Sequence, residues 1–291
     1  TGNDEYDPAI PGTGFGGTSQ GEYELRVNFR PDITNPLNVL VDETSTPIDG
    51  DSDGESGGIY DFWFRAASVA NTLFVDQNAA DAATPGRANN GTVASPFLEI
   101  DQALAAAQSG QVVRIVGNGG VDGEEAVYQI GTTTANLPLR DGSRFDVPQN
   151  VTVMIDGGAI LKLRAAGISV GSSTAGVDRS AGALQVLGTP GNEVIFTSWL
   201  DENTGGDTTP TPTVAAPGNW GGIIFRNDID RAEGRFNYQN EGIFLNHVSN
   251  ALIEYGGGNI VLDSVLQTVN PIFVSQAQPT IIHNTITRSM G

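Results

Sequence analysis

The sequence predicts an all-β chain. Its larger part is expected to be a right-handed parallel β-helix, a solenoid with an N-terminal capping helix and a small N-terminal β segment. Three observations carry this expectation. Short β-branched or aromatic runs recur between Gly, Asn and Pro: Gly182–Gly188, then Asn192–Ser198, and later Asn270–Ser275, then Pro279–Ile286. The two pairs repeat at similar offsets, with Leu184 and Val194 10 residues apart and Ile272 and Ile281 9 apart. A unit too small to bury its own apolar face, repeated along the chain, is the signature of a solenoid. Second, 38 glycines and only 38% hydrophobic residues suit many turns and short strands better than a helical chain. Third, one convincing helix, over 95–110, stands directly before a strand.

Along the chain, 1–31 is read as the terminal strands of a truncated β-sandwich-like segment. It holds a Gly-rich loop and the strand Glu22–Phe29, whose alternation sets Tyr23, Leu25, Val27 and Phe29 on one face. One strand is not stable alone, so this one needs a partner. Residues 32–69 are read as a linker β-hairpin with an acidic turn over 47–58, followed by the strand Ile59–Arg65. The parallel β-helix is assigned to 70–291. Leu73–Asp76 reads as a strand. In the helix that follows, Ser95 is the expected N-cap, Pro96 the first helical residue and Gly110 the stop. Phe97, Ile100, Ala103, Leu104 and Ala107 fall on one stripe, suited to covering something apolar. Strands are then expected at 111–118, 151–155, 160–163, 168–170, 220–225, 242–245, 251–255 and 259–262, besides the repeated pairs. Residues 199–219 and 227–241 read as insertions looping out of the rungs. The chain stops in mid-pattern at Met290-Gly291, so the expectation is a piece of a larger protein, with docking of both ends on neighbouring subunits as the alternative.

Several stretches resemble known families. FVD…SPFLEIDQALAAAQSGQVVRIVGN, about 46 residues, resembles the N-terminal cap and first rung of pectin-lyase-like β-helix proteins. VTVMIDGGAILKL…GALQVLGTPGNEVIFTS resembles a repeat of surface-exposed bacterial β-helices. GTSQGEYELRVNF resembles the last strands of the bacterial pre-peptidase C-terminal domain, and DGDSDGESGGIYDFWFRA a linker module of large secreted bacterial proteins. The resemblance implies a short helix over the open end of the solenoid. In enzymes of that family it also implies calcium-binding carboxylates with a basic residue, or paired aspartates, on the outer groove.

Charge narrows the partners. Net charge is −20, with 34 acidic against 14 basic residues and a single lysine, Lys162. Such a surface repels nucleic acid and anionic membranes and attracts divalent cations. No apolar run reaches the ~18 residues of a membrane span, so no membrane insertion is expected. With no cysteine, disulfides and thiolate metal sites are excluded.

Asp49, Asp51 and Asp53 with Gly54 follow the D-x-D-x-D-G pattern, in which alternate carboxylates converge on a hard cation and the glycine permits the sharp turn. Tyr60 stands where an EF-hand needs Glu, and Asp61 is the candidate late ligand. The alternative is a solvated acidic turn. Asp201 and Asp207, with Glu202 beside them, are candidates for a second calcium, against an acidic solvated loop. Asp228 and Asp230 are read as exposed loop carboxylates, with an acid–base pair as the alternative. Lys162 is read as an outward surface lysine, Asn246 and Asn284 as rung-to-rung ladder residues, and neither histidine, His247 nor His283, as catalytic. No catalytic constellation assembles.

The expectation is therefore an extracellular, calcium-stabilised structural protein, a surface, matrix, filament or adhesin subunit. Self-assembly would run through the N-terminal strand and the open β-helix end. A polysaccharide lyase or glycoside hydrolase, or a calcium-dependent carbohydrate-binding module, is the alternative, on fold analogy.

Overall fold

A computed structural model describes residues 21–28, 41–42, 44–50, 55–79, 88–117, 127–209, 211–262 and 265–291. The chain divides into two compact units, Thr1–Ala66 and Ala67–Gly291.

In the first unit, β1 (Gly21–Asn28) and β2 (Ile59–Ala66) form a two-stranded antiparallel ribbon. The two strands that the sequence places in separate segments pair with each other. The register sets Tyr23 opposite Phe64, Leu25 opposite Phe62 and Val27 opposite Tyr60, so the expected apolar alternation becomes one aromatic face. Tyr60, Phe62, Phe64 and Tyr23 stack in sequence, with centroids 6.4, 5.9 and 5.6 Å apart. Charges pair on the other face, Arg26 with Asp61 at 2.7 Å and Arg65 with Glu22 at 2.8 Å.

The second unit contains β3 (Thr72–Val75), α1 (Ile100–Ala106), β4 (Val112–Ile115), β5 (Tyr128–Gly131), β6 (Phe145–Asp146), β7 (Thr152–Asp156), β8 (Ile160–Arg164), β9 (Ile168–Val170), β10 (Ala183–Leu187), β11 (Val194–Ser198) and β12 (Ile223–Arg226). It continues with α2 (Asp228–Ala232), β13 (His247–Ser249), β14 (Ala251–Glu254), β15 (Asn259–Leu262), β16 (Val265–Thr268), β17 (Ile272–Ser275), β18 (Thr280–Ile282) and β19 (Thr285–Thr287). Three parallel sheets hold all but two of these strands. The first runs β3-β4-β7-β10-β13-β18, the second β5-β8-β11-β14-β19 and the third β6-β9-β12-β17. From β4 onward the chain visits the three sheets in strict rotation, the β15–β16 hairpin being the one excursion.

Register gives the repeat length. Thr152 pairs with Ala183, 31 residues on, and His247 with Thr280, 33 residues on, whereas Gln185 and His247 are 62 apart. The long coil carries both insertions. Inward residues of all three sheets (Val153 and Ile155, Leu161 and Leu163, Ile168 and Phe225) merge into one buried cluster with Phe196 and Trp220, whose rings stack at 6.3 Å.

The structure corrects the sequence reading at five places. First, the helix begins at Ile100 and not at Pro96. Phe97 is extended and bridges Val75, and the Ser95 hydroxyl accepts from the Asn89 backbone N–H. Second, Ile100, Ala103 and Leu104 are buried as the stripe predicts, but the helix end is capped from elsewhere. Asp141 Oδ1 accepts from the Ile100 N–H at 3.0 Å. Third, 242–245 is not a strand. The strand is β13, and Asn246 before it accepts from the Leu184 N–H of the previous coil. Fourth, β15 lies outside the parallel ladders, in the hairpin with β16. Fifth, the repeated pairs are one corner out of phase. Leu184 and Val194 lie in the first and second sheets, Ile272 and Ile281 in the third and first.

Candidate functional site

The residues with the most chemistry gather on the outer face of the second sheet. There Gln129, Lys162 and Thr197 stand in register on β5, β8 and β11, and Glu254 pairs with Thr287 on β14 and β19. Alternation explains the row. Leu161 and Leu163 point into the core, so Lys162 must point outward. Outward is not exposed, however. Lys162 has no solvent exposure, because the 199–219 segment folds down over it. Its ammonium donates to the Asp201 carbonyl at 2.7 Å and to the Gly206 carbonyl. The surface lysine of the sequence reading is thus a buried anchor, and the looped-out insertion is a packed cover.

Other contacts hold the same cover. Trp199 Nε1 donates to Gln129 Oε1 at 3.0 Å, and the Thr208 hydroxyl to the Trp199 carbonyl at 3.0 Å. Gly205 lies so close that a Cβ there would sit 2.5 Å from Val127 Cγ1. Asp201 is 3% exposed, and it accepts from the Thr197 hydroxyl at 2.7 Å and the Asn203 N–H at 3.0 Å. Asp207 accepts from the Thr209 N–H at 2.8 Å, closing a local turn. Burial raises the Glu254 carboxyl above its usual range; Arg288, at 3.3 Å, opposes the shift and the Asp201 charge adds to it. Asp201 is therefore committed to hydroxyl and N–H donors, and Glu254 to an arginine.

The cation that the loop carbonyls of Asp201 and Gly206 meet is the lysine ammonium. Among the described residues no group of three or more Asp, Glu or His side chains converges as metal ligands do. Of the first calcium candidates, Asp51 and Asp53 lie outside the described residues. Asp49 bridges Gly57 through the backbone. Asp61 faces Arg26 across the ribbon, and both its oxygens accept from that guanidinium, at 2.7 and 3.2 Å.

The second insertion is also pinned down. Asp228 pairs with Arg226 at 2.9 Å. Asp230, read as an exposed loop carboxylate, has no solvent exposure. It accepts from the Ser172 N–H at 3.0 Å and from the Ser172 hydroxyl, with Arg235 at 3.3 Å. His247 is 3% exposed on β13, and burial lowers its pKa to about 4, so it stays neutral at pH 7. His283 occupies a left-handed turn (φ 55°) between β18 and β19. Asn284 accepts from the Ala251 N–H and donates to the Val248 carbonyl, each at 2.9 Å, which is the rung-to-rung role expected of it.

Sequence reasoning missed Gln129, Glu254 and Asp141, and it read Lys162 as exposed. A lone lysine within Leu-Lys-Leu, in a coil next to a long insertion, was the available signal for Lys162. Asp141 sits in a turn and carries no pattern of its own. No helix among the described residues is long and apolar enough to cross a membrane. Comparison with family models, characterised proteins and solved structures finds no match.

Proposed function

We propose that the second unit is a right-handed parallel β-helix, closed over its first coil by α1, and that it serves as an extracellular structural subunit of a surface, matrix or filament assembly. The observation that carries this reading is what the buried polar groups are spent on: Lys162 on the Asp201 and Gly206 carbonyls, Asp230 on Ser172 and Arg235, and Glu254 on Arg288.

That the polar clusters fasten loops to coils supports a scaffold over a catalyst. A role for calcium at Asp49, Asp51 and Asp53 belongs to the same reading, motivated by the D-x-D-x-D-G spacing. The test is light scattering and negative-stain imaging of the purified chain with millimolar calcium and then with a chelator. Ordered assemblies that fray on chelation are expected. A monomer indifferent to calcium would overturn both the assembly and the metal role.

A further inference from the structure

On the third sheet the chain builds a cleft that the structural role does not use. The β15–β16 hairpin lies across the outer face of β9 and β12. Ile260 and Leu262 are buried there with Ile224 and Val269. Two missing side chains set how closely it sits. A Cβ on Gly221 would be 2.5 Å from Ile260 Cγ2, and one on Gly167 would be 3.2 Å from Ile260 Cδ1. Between the hairpin and the sheet lies a cavity of about 300 Å³. That is the lower end of the range for specific ligand sites.

The lining is mixed in a particular way. One wall is β15 itself, through Ile260, Val261 and Leu262, and no residue of β16 contributes. Among the described residues β15 pairs with β16 alone, and alternate N–H and C=O groups of a paired strand project from its other edge. The opposite wall is Asp146 and Ser169, register neighbours on β6 and β9. Ser169 is 5% exposed, lines the cavity, and its hydroxyl has no hydrogen-bond partner among the described residues. Arg144 stands at the rim with its side chain 63% exposed. Asp146 is held by Arg179 at 3.1 Å and more loosely by Arg144 at 3.6 Å. Arg144 and Asp146 are the charged residues of the lining, and Arg179, outside it, holds Asp146 more closely than Arg144 does, which leaves Arg144 the more loosely paired of the two guanidinium groups.

A strand edge, an apolar wall, a hydroxyl with no protein partner among the described residues and a loosely paired rim guanidinium define a ligand. We infer that the cleft takes a short extended peptide segment carrying a carboxylate side chain. Its backbone would add to the free edge of β15, and its carboxylate would accept from Arg144 and the Ser169 hydroxyl. Main-chain pairing supplies affinity in this mode and side-chain pockets supply specificity. Release of Arg144 from Asp146 costs little, because Arg179 continues to hold that carboxylate and the rim pair is solvated.

The test is a titration of the intact, isotope-labelled chain followed by backbone amide shifts. The probe is the blocked tripeptide acetyl-Val-Asp-Val-amide, with central Asn and central Lys versions as controls. Saturable shifts at Ser169 and Val261 in the millimolar range are expected with the Asp probe. They should weaken roughly tenfold with the Asn probe and vanish with the Lys probe. Arg144→Gln, an exposed substitution that leaves the melting temperature in place, should weaken the Asp probe by a similar factor. Ser169→Ala reads the hydroxyl independently and should also weaken it. Absence of saturation, equal shifts from all three probes, or undiminished binding by Arg144→Gln would overturn the proposal. So would a neutral disaccharide such as maltose saturating the same amides while the Asp probe does not.

Discussion

Replacing Lys162 by methionine keeps most of the apolar stem but removes every donor that the Asp201 and Gly206 carbonyls face. A buried acceptor left without a donor costs about 1–3 kcal/mol. Lys162→Met should therefore lower unfolding stability by roughly 2–4 kcal/mol in denaturant titration. It should also open the 199–219 segment to protease. Unchanged stability together with an intact segment would mean that Lys162 does not hold the cover. The acid–base behaviour of two other buried groups has opposite signs. His247 has its folded pKa lowered by burial to about 4, so its contribution is present above about 6.5 and is lost as pH falls toward 4. Over that window the loss amounts to roughly 3 kcal/mol. Asp141 is pushed up by burial to about 7, against the N–H donors of Gln129 and Ile100. Its folded form holds a proton that the unfolded chain releases near 3.8, so its contribution is lost as pH rises through 7. Between pH 4 and 6.5 the two slopes oppose each other. His247→Gln should leave stability falling with pH there, and Asp141→Asn should leave it rising. A pH–stability curve of unchanged shape in both variants would remove these assignments. Neither residue was legible as a stability element in the sequence. Burial of His247 depends on packing between coils, and the three donors to Asp141 come from positions 77, 100 and 129.

Elements were more legible than their phase. Runs such as Thr152–Asp156, Ile160–Arg164 and Val194–Ser198 declare themselves by composition, and the structure confirms each as a strand. Which corner of the coil each run occupies is not written in it. Three short strands per coil, joined by turns of similar length, present nearly the same spacing at each corner, so a 9- or 10-residue offset fits two of them. That is why Leu184 was matched to Ile272, although its register lies with Val153. β15 failed for a related reason. Asn-Ile-Val-Leu alternates as a rung strand does, but it packs on the outer face of the third sheet. Glycines that admit close approach carry information that the strand pattern lacks. At Gly221 an added Cβ would lie 2.5 Å from the Ile260 γ-methyl, which moves only by rotation about χ1, whereas at Gly171 (φ +84°) it would lie 1.7 Å from the Arg226 carbonyl oxygen. The side chain can give way and the backbone cannot. Gly221→Ala should cost about 1–3 kcal/mol and speed hydrogen exchange in β15. Gly171→Ala should cost more than about 4 kcal/mol or prevent folding. Equal, small effects would show that neither approach is as tight as the coordinates place it.

At the scale of the molecule, the two ends of the stacked sheets differ. The outer edge of β3 is occupied: Phe74 donates to the Gly91 carbonyl at 2.8 Å and accepts from the Phe97 N–H at 2.9 Å, and Ile100, Ala103 and Leu104 of α1 share a buried cluster with Val75. The edges of β17, β18 and β19 have no strand beyond them among the described residues. Under the proposed assembly, the partly exposed Ile281 and Ile286 and the aromatic face of the β1–β2 ribbon are the apolar surfaces that a second copy would meet. Size-exclusion chromatography with light scattering separates these cases. The chain should pass from monomer to dimer as concentration rises, and Ile281→Lys with Ile286→Lys should hold it monomeric, because charges on an edge strand block pairing. Both positions are partly exposed already, at 39 and 48%, so the double variant should melt within a few degrees of the parent. If the variant associates as the parent does, Ile281 and Ile286 are not at the contact. If the parent forms filaments that the variant shortens to dimers, these two residues carry one contact and another surface carries the second.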